Sequence, residues 1–310
     1  MKLINHTNSP GWTELHNRLA NKNNGARTYS EMITTHYWPI FEAVDMGKTR
    51  AAVVTTTREN VPYNFRFDVV FIFLHERRLK NGGSTVERHK EMAKAQGNRC
   101  RTIFIVWDED WAKELEANGL EAMFLPMAVD KAKIKEGVVA VKERKRHYRK
   151  ILWFGNMWTG KREAYTALRS ACRKHGWALD KISGGRFNDS IPLSREQTFQ
   201  KISEYKYGVG VGRCAAEMAS LGLKVFCYAF GQKGFLPMTE EDAEFLVRKN
   251  MLAREEANYT PDEALALLPK SVQCCPLDVR DCQKILIEEL KKKGFYVDEN
   301  KIGIIKDKNK

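Results

Sequence analysis

The sequence lacks the long apolar runs of membrane-spanning proteins. No run approaches the roughly 20 apolar residues that a transmembrane helix requires. The opening residues, Met1 to His6, turn polar too early for a secretory signal peptide. Internal repeats and low-complexity segments are missing too, and 43% hydrophobic with 29% charged residues excludes wholesale disorder. We therefore expect a folded, cytoplasmic protein.

Paired cysteine motifs are also absent. The chain has seven cysteines, an odd number, and no C-x-x-C pair. Several stand in apolar runs, as Cys227 does, which predicts buried, reduced thiols in a reducing compartment. A zinc site from Cys274, Cys275 and Cys282 stays open as an alternative, although adjacent cysteines do not have the usual ligand spacing.

Acidic residues are in deficit. Fifty-two Lys and Arg against 39 Asp and Glu leave a formal net charge of +13. Such a field attracts polyanions, namely nucleic acid, an anionic membrane surface or phosphorylated small molecules. An equally weighted alternative is that the positive charge only keeps the protein soluble through mutual repulsion.

Length and patterning predict two domains, because 310 residues exceed one ordinary core. Short apolar runs alternate with amphipathic helical stretches, and the expected strands cover residues 2–6, 51–55, 68–74, 101–107, 122–126, 150–154, 177–182, 206–211 and 223–229. Runs that are apolar on both faces and separated by helices are typical of parallel sheets covered on both sides. We expect an α/β protein of two doubly wound, Rossmann-like domains that face a cleft.

The basic stretch at residues 141–150 is the expected domain boundary, because a new apolar strand starts directly after it. It divides the chain into domains 1–145 and 146–310, and a solvated linker is favoured there over a binding patch. Capping boxes are expected at Ser194 and Thr260. A last helix near 279–293 should stop at Gly294. The tail after it should either fray or pack back on the first domain.

The most informative segment follows the strand at 150–154. It reads Gly155-Asn156-Met157-Trp158-Thr159-Gly160-Lys161-Arg162, so an apolar strand enters a turn with two glycines and a helix opens with two cations. Gly155 and Gly160 allow backbone N–H groups to approach an anion closely. The helix N-terminus, with Lys161 and Arg162, can neutralise a diphosphate. A tight turn with exposed cations is the equal alternative.

A second segment combines glycines with a carboxylate. A glycine-rich strand end leads into a short helix that carries Arg213 and Glu217, and Gly222 follows. A carboxylate there can accept hydrogen bonds from both hydroxyls of a ribose, while the helix N-terminus faces phosphate. The alternative for Glu217 is a carboxylate that only complements the helix dipole.

Together the two segments resemble the donor half of GT-B glycosyltransferases, whose nucleotide-sugar signature E-x-x-x-x-G is similar to residues 217–222. Residues 155–163 also resemble the G-S-F-R-S-G-Q-R-E stretch of phage DNA β-glucosyltransferases, with matches at Gly155, Gly160, Arg162 and Glu163. Trp158 stands where that stretch has its first arginine, so Lys161 or Arg213 must replace one phosphate contact. The resemblance implies that Glu217 binds the ribose and that Arg162, with Lys161, binds the diphosphate.

The candidate catalytic residues lie in the first half, at strand ends. Asp108 follows the strand at 101–107, where an acid can act as general base, and the resemblance implies a base in the same place. A helix N-cap is the alternative for Asp108. His75, after the strand at 68–74, is the competing functional residue, and a structural hydrogen bond is its alternative. Four arginines are expected either to contact a nucleic-acid backbone or to be solvated: Arg58, Arg66, Arg77 and Arg78.

The resemblance implies a glycosyltransferase that moves a sugar from a nucleotide-diphosphate sugar, preferably a uridine one, to a hydroxyl group. Hydroxylated pyrimidine in phage DNA is the favoured acceptor, because of the charge, the small size of the protein and the resemblance at residues 155–163. A cell-envelope saccharide or a lipid-linked acceptor is the alternative, and a non-catalytic nucleic-acid-binding protein is the third hypothesis. No metal site or required cofactor is expected, although a divalent cation can stimulate the reaction. The sugar and the oligomeric state stay open.

Overall fold

The structure is a computed structural model of the 310-residue chain. It describes residues 33–45, 51–56, 67–74, 85–96, 99–136, 138, 147–155, 159–182, 193–228, 234–237, 259–273 and 275–302. In these ranges the protein is a mixed α/β structure with parallel sheets, as the alternation of apolar runs and helices predicts. None of the helices described here is both long and apolar enough to cross a membrane.

The strands and helices follow the predicted order closely. The strands are β1 (Val44–Asp45), β2 (Ala51–Thr56), β3 (Val69–Leu74), β4 (Arg101–Val106), β5 (Glu121–Phe124), β6 (His147–Phe154), β7 (Ala178–Ile182), β8 (Tyr205–Val209), β9 (Lys224–Tyr228), β10 (Phe235–Pro237) and β11 (Tyr296–Val297). The helices are α1 (Trp38–Glu42), α2 (Thr85–Ala95), α3 (Glu109–Ala117), α4 (Lys131–Glu136), α5 (Thr159–Lys174), α6 (Arg195–Ser203), α7 (Arg213–Ser220), α8 (Pro261–Leu267) and α9 (Val279–Lys292). The strand expected at 2–6 lies outside the described residues.

Two compact units make up the chain, but their limits differ from the expected boundary at residue 145. The first unit is Met1–Leu125 with Arg280–Lys310, and the second is Pro126–Val279. Residues directly after β5 belong to the second unit because Val129 pairs with the last residues of that unit. Val129 O accepts a hydrogen bond from Val279 N, and Val129 N donates one to Leu277 O. Nearly all of α9, expected in the second domain, belongs to the first unit.

The first unit is built on the parallel sheet β2-β3-β4-β5. Every residue of β3 is buried, because side chains alternate between two covered faces of the sheet. On one face, Val70 and Ile72 belong to a core cluster with Trp111 of α3. On the other face, the ring of Phe71 lies 5.1 Å from that of Phe41 in α1.

The second unit contains the sheet β7-β6-β8-β9-β10. The first four strands are parallel, and β10 pairs antiparallel with β9 at the edge. Because β6 lies between β7 and β8, the chain leaves β6 toward one side of the sheet and leaves β8 toward the other. This reversal of strand order is the topological switch point of a doubly wound sheet, where ligands bind beyond the carboxyl ends of the strands.

The predicted helix ends are confirmed. Ser194 with Gln197 and Thr260 with Glu263 form capping boxes at α6 and α8. After α9, Gly294 takes a positive φ of 86° and stops the helix.

The described part of the tail, residues 295–302, packs back on the first unit, which is one of the two expected outcomes. Strand β11 pairs antiparallel with β1, and Asp298 N donates to Ala43 O at 2.9 Å.

Arg101 connects the sheet of the first unit to this returning segment. Its Nε and Nη2 donate to the two carboxylate oxygens of Glu121 at 2.8 and 2.7 Å, and Nη2 also donates to Lys293 O at 2.9 Å. Its guanidinium carbon lies 4.9 Å from the ring centroid of Phe295. One side chain thus joins β4, β5 and the end of α9.

We expect Arg101→Gln to lower the free energy of unfolding by about 1–2 kcal/mol, because charge-assisted hydrogen bonds contribute about 1.5–3 kcal/mol before discounting for partial exposure. Urea unfolding followed by circular dichroism measures the change. Arg149→Gln, at an exposed position of β6, is the control and should stay within about 0.5 kcal/mol of the parent. Equal effects of the two variants would contradict the role given to Arg101.

Candidate functional site

The two segments singled out in the sequence meet at the switch point of the second unit. Parallel pairing places Leu152 beside Gly208 and Trp153 beside Val209, so β6 and β8 end next to each other. A Cβ atom on Gly210 would lie 3.2 Å from Phe154 O and 2.8 Å from Met218 Cε. A side chain at this position would crowd Phe154 O and Met218, so glycine suits the close approach of the backbone after β8 to β6.

The turn after β6 opens with Gly155, whose φ of +143° favours glycine. A Cβ atom on it would lie 3.7 Å from Cys214 Sγ and 4.0 Å from Lys161 Nζ. The turn after β6, the first turn of α5 and the first turn of α7 therefore converge on one spot. Gly160 lies in that first turn of α5, and Gly212, with φ +56°, is the N-cap residue of α7.

Lys161, rather than Arg162, lies at this convergence. The side chain of Lys161 is buried, and burial lowers the pKa of its ammonium group. Arg162 is exposed, because consecutive helical residues differ by about 100° in direction. An anion bound here would favour the charged form of Lys161.

Glu217 lies one turn after Arg213 on α7 and is buried, with 8% of its surface exposed. Arg213 Nε donates to Glu217 Oε1 at 2.8 Å. Arg195 Nη2, from the start of α6, lies 3.8 Å from the same oxygen. The carboxylate is thus held between two guanidinium groups that are themselves partly exposed.

Arg195 is a residue that the sequence analysis missed. In a doubly wound sheet, a helix that leads into a parallel strand runs opposite to that strand, so the helix begins at the carboxyl edge of the sheet. The capping box at Ser194 marks the start of α6, and Arg195 is its first residue. The capping box at Ser194 was therefore the sequence signal that could have placed Arg195 at the ligand-binding edge of the sheet.

Cys214 lies among these charged groups as a neutral thiol. Burial, and after it the charge of Glu217, raises the pKa of Cys214 to about 12. A thiol with such a pKa is protonated at neutral pH and is a poor nucleophile. Lys161 and Arg213 act on the same thiol through their charges, and Arg195 pairs with Glu217. In the described part of the site these three cations accompany Glu217, which is an arrangement suited to an anion.

The predicted residues of the first unit are described only in part. Asp108 is buried after β4, and its carboxylate accepts a hydrogen bond from Trp111 N at 3.0 Å, as the N-cap alternative predicts. Its role as a base stays a prediction. His75 and four predicted cations lie outside the described residues: Arg58, Arg66, Arg77 and Arg78.

Metal ligands do not cluster in the described part of the chain, where no group of three or more His, Cys, Asp and Glu side chains could hold an ion. Of the three cysteines considered for zinc, Cys275 is exposed and lies 3.5 Å from Lys131 Nζ, and Cys282 is buried. Cys274 lies outside the described residues.

No protein-family model and no curated protein matches this sequence.

Proposed function

We propose that the protein is a glycosyltransferase whose second unit binds a nucleotide-diphosphate sugar. The observation that carries the proposal is the convergence of the Gly155 turn, Lys161 and the Arg213–Glu217 pair at the switch point of the parallel sheet. A phosphate is bound by cations, whereas the hydroxyls of a ribose are bound by a hydrogen-bond acceptor such as a carboxylate. Both kinds of group are present here. The GT-B arrangement of two domains is part of the proposal and rests on the resemblance in sequence.

The diphosphate is assigned to the cations. Lys161 lies in the first turn of α5 and Arg213 opens α7, so each cation is combined with the N–H groups of a helix N-terminus. Helix N-termini and neighbouring cations both favour anions. The same groups would stabilise the negative charge that develops on the departing diphosphate. Such a site does not require a metal, although a divalent cation can assist it.

The ribose is assigned to Glu217. A carboxylate offers about four lone-pair sites, and both guanidinium contacts described above lie at Oε1. The two hydroxyls of a ribose are hydrogen-bond donors of the kind that a carboxylate accepts.

We expect wild-type protein to bind uridine diphosphate and Lys161→Met to weaken the binding by about 1.5–3 kcal/mol, which is typical of a lost hydrogen bond to a charged group. Isothermal titration calorimetry measures both values. Arg162→Met, which removes an exposed cation one residue away, should cost less than half as much. If Arg162→Met has the larger effect, the diphosphate does not lie at Lys161.

Asp108 is proposed as the base that takes the proton of the acceptor hydroxyl. The acceptor oxygen then attacks the anomeric carbon, and the bond from that carbon to the diphosphate breaks. This role is separable from the N-cap bond to Trp111, because asparagine caps a helix as well as aspartate does but cannot accept the proton.

Asp108→Asn should therefore lower turnover by at least ~10² while the protein unfolds within about 1 kcal/mol of wild type. Steady-state kinetics with a uridine-diphosphate sugar and urea unfolding provide the two measurements. Asp108→Ser is the matched control for the cap, since serine also caps well. Near-normal turnover in both variants would show that Asp108 serves only as a cap.

Hydroxylated DNA is the acceptor that we propose. Its support is the formal charge of +13 together with the resemblance at residues 155–163. Most of the excess of Lys and Arg falls on residues outside the described ranges, so the acceptor surface is assigned to no particular residues beyond the four arginines predicted from the sequence.

Duplex binding should weaken steeply with salt, because each phosphate contact releases counterions and contributes a slope of about −0.9 in log affinity against log salt. About five contacts would cost ~10²–10³ in affinity between roughly 50 and 200 mM salt. Gel-shift titrations with plain and hydroxymethylated duplexes measure the slope and the preference for the modified base. Absence of binding at the lower salt would favour a saccharide acceptor instead.

A further inference from the structure

The donor site already contains an anion of its own. Glu217 is buried with its Oε1 atom 2.8 Å from Arg213 Nε and 3.8 Å from Arg195 Nη2. These two arginines come from different helices, α7 and α6, and the carboxylate is their common partner. The positive charge of the site is therefore partly neutralised by its own carboxylate.

A phosphate that approaches these arginines must compete with the carboxylate. Placing a second anion beside a buried carboxylate is unfavourable unless the carboxylate receives hydrogen-bond donors in exchange. A ribose supplies two such donors from its neighbouring hydroxyls. Inorganic diphosphate has no pair of neighbouring hydroxyls, and neither has the deoxyribose backbone of DNA.

We propose that Glu217 determines specificity by rejecting phosphorylated ligands that bring no vicinal diol. It competes with their phosphates for Arg213 and Arg195, and it yields only to a ligand whose hydroxyls replace the guanidinium donors. This inference rests on the proposed function, and it goes beyond ribose binding because it assigns a repulsive role to the same carboxylate. A protein with an excess of positive charge has a particular need for such a filter.

Two ligands separate the two roles of Glu217. Inorganic diphosphate has no ribose, so its affinity reports the competition alone. The ratio between the affinities for uridine diphosphate and inorganic diphosphate reports the hydrogen bonds to the ribose, because release of the arginines favours both ligands equally.

In Glu217→Gln, we expect inorganic diphosphate to bind about tenfold more tightly than in wild type, the effect of about one charge-assisted hydrogen bond. The preference for uridine diphosphate should fall by about tenfold or more. Isothermal titration calorimetry on the full chain measures both. Glu217→Asp keeps the charge, so its affinity for inorganic diphosphate should stay within a few-fold of wild type.

Glu204→Gln is the matched control. Glu204 also forms an ion pair, with Lys201 Nζ at 2.7 Å, but it precedes β8 and so lies at the opposite end of that strand. The Glu204→Gln substitution removes the same charge as Glu217→Gln, but the affinity for inorganic diphosphate should not change. Equal tightening in Glu204→Gln would mean that net charge alone is responsible and would overturn the inference.

Unchanged or weaker binding of diphosphate to Glu217→Gln would also overturn the inference, even if uridine diphosphate binds as proposed. Tighter binding of diphosphate together with an unchanged preference for uridine diphosphate would instead support the competition and contradict the ribose assignment of the proposed function. Urea unfolding of each variant establishes that the comparison is made between folded proteins.

Discussion

The parallel pairing of β6 with β8 is the constraint on which the rest of the candidate site depends. Because β7 lies on the other side of β6, the helices that follow these two strands diverge, and their first turns face the same space. The pairing leaves little room between the strand ends, and Gly210 fits there because glycine has no side chain. Lys161 and Glu217 reach the same place because the strands, rather than a long loop, set their positions.

The expectations that depend on local patterns held well. The fully apolar run of β3 needs no tertiary information, since a strand buried on both faces has few other interpretations. The capping boxes at Ser194 and Thr260 are equally local, because a cap is decided within four residues. Such patterns also located the turn at Gly155 and the helix that carries Glu217.

What could not be predicted depends on contacts between distant parts of the chain. The pairing of β11 with β1 joins residues far apart in sequence, and each strand is only two residues long, too short for a periodic signal. The contacts of Val129 with Leu277 and Val279, which place it in the second unit, likewise join residues far apart in sequence. Arg195 was missed as a partner of Glu217 because only the packing of α6 against the sheet brings them together.

The burial of Lys161 is the strongest physical argument that the site binds an anion. Removing an ammonium from water is unfavourable, and this burial lowers the pKa of Lys161. A methionine has a side chain of similar length and would fill the same volume without the cost of desolvating a charge. Apolar replacements of buried charges are often neutral or stabilising. A phosphate bound beside Lys161 would favour the charged form of its ammonium, so part of the free energy lost in burying that group would be recovered when ligand binds.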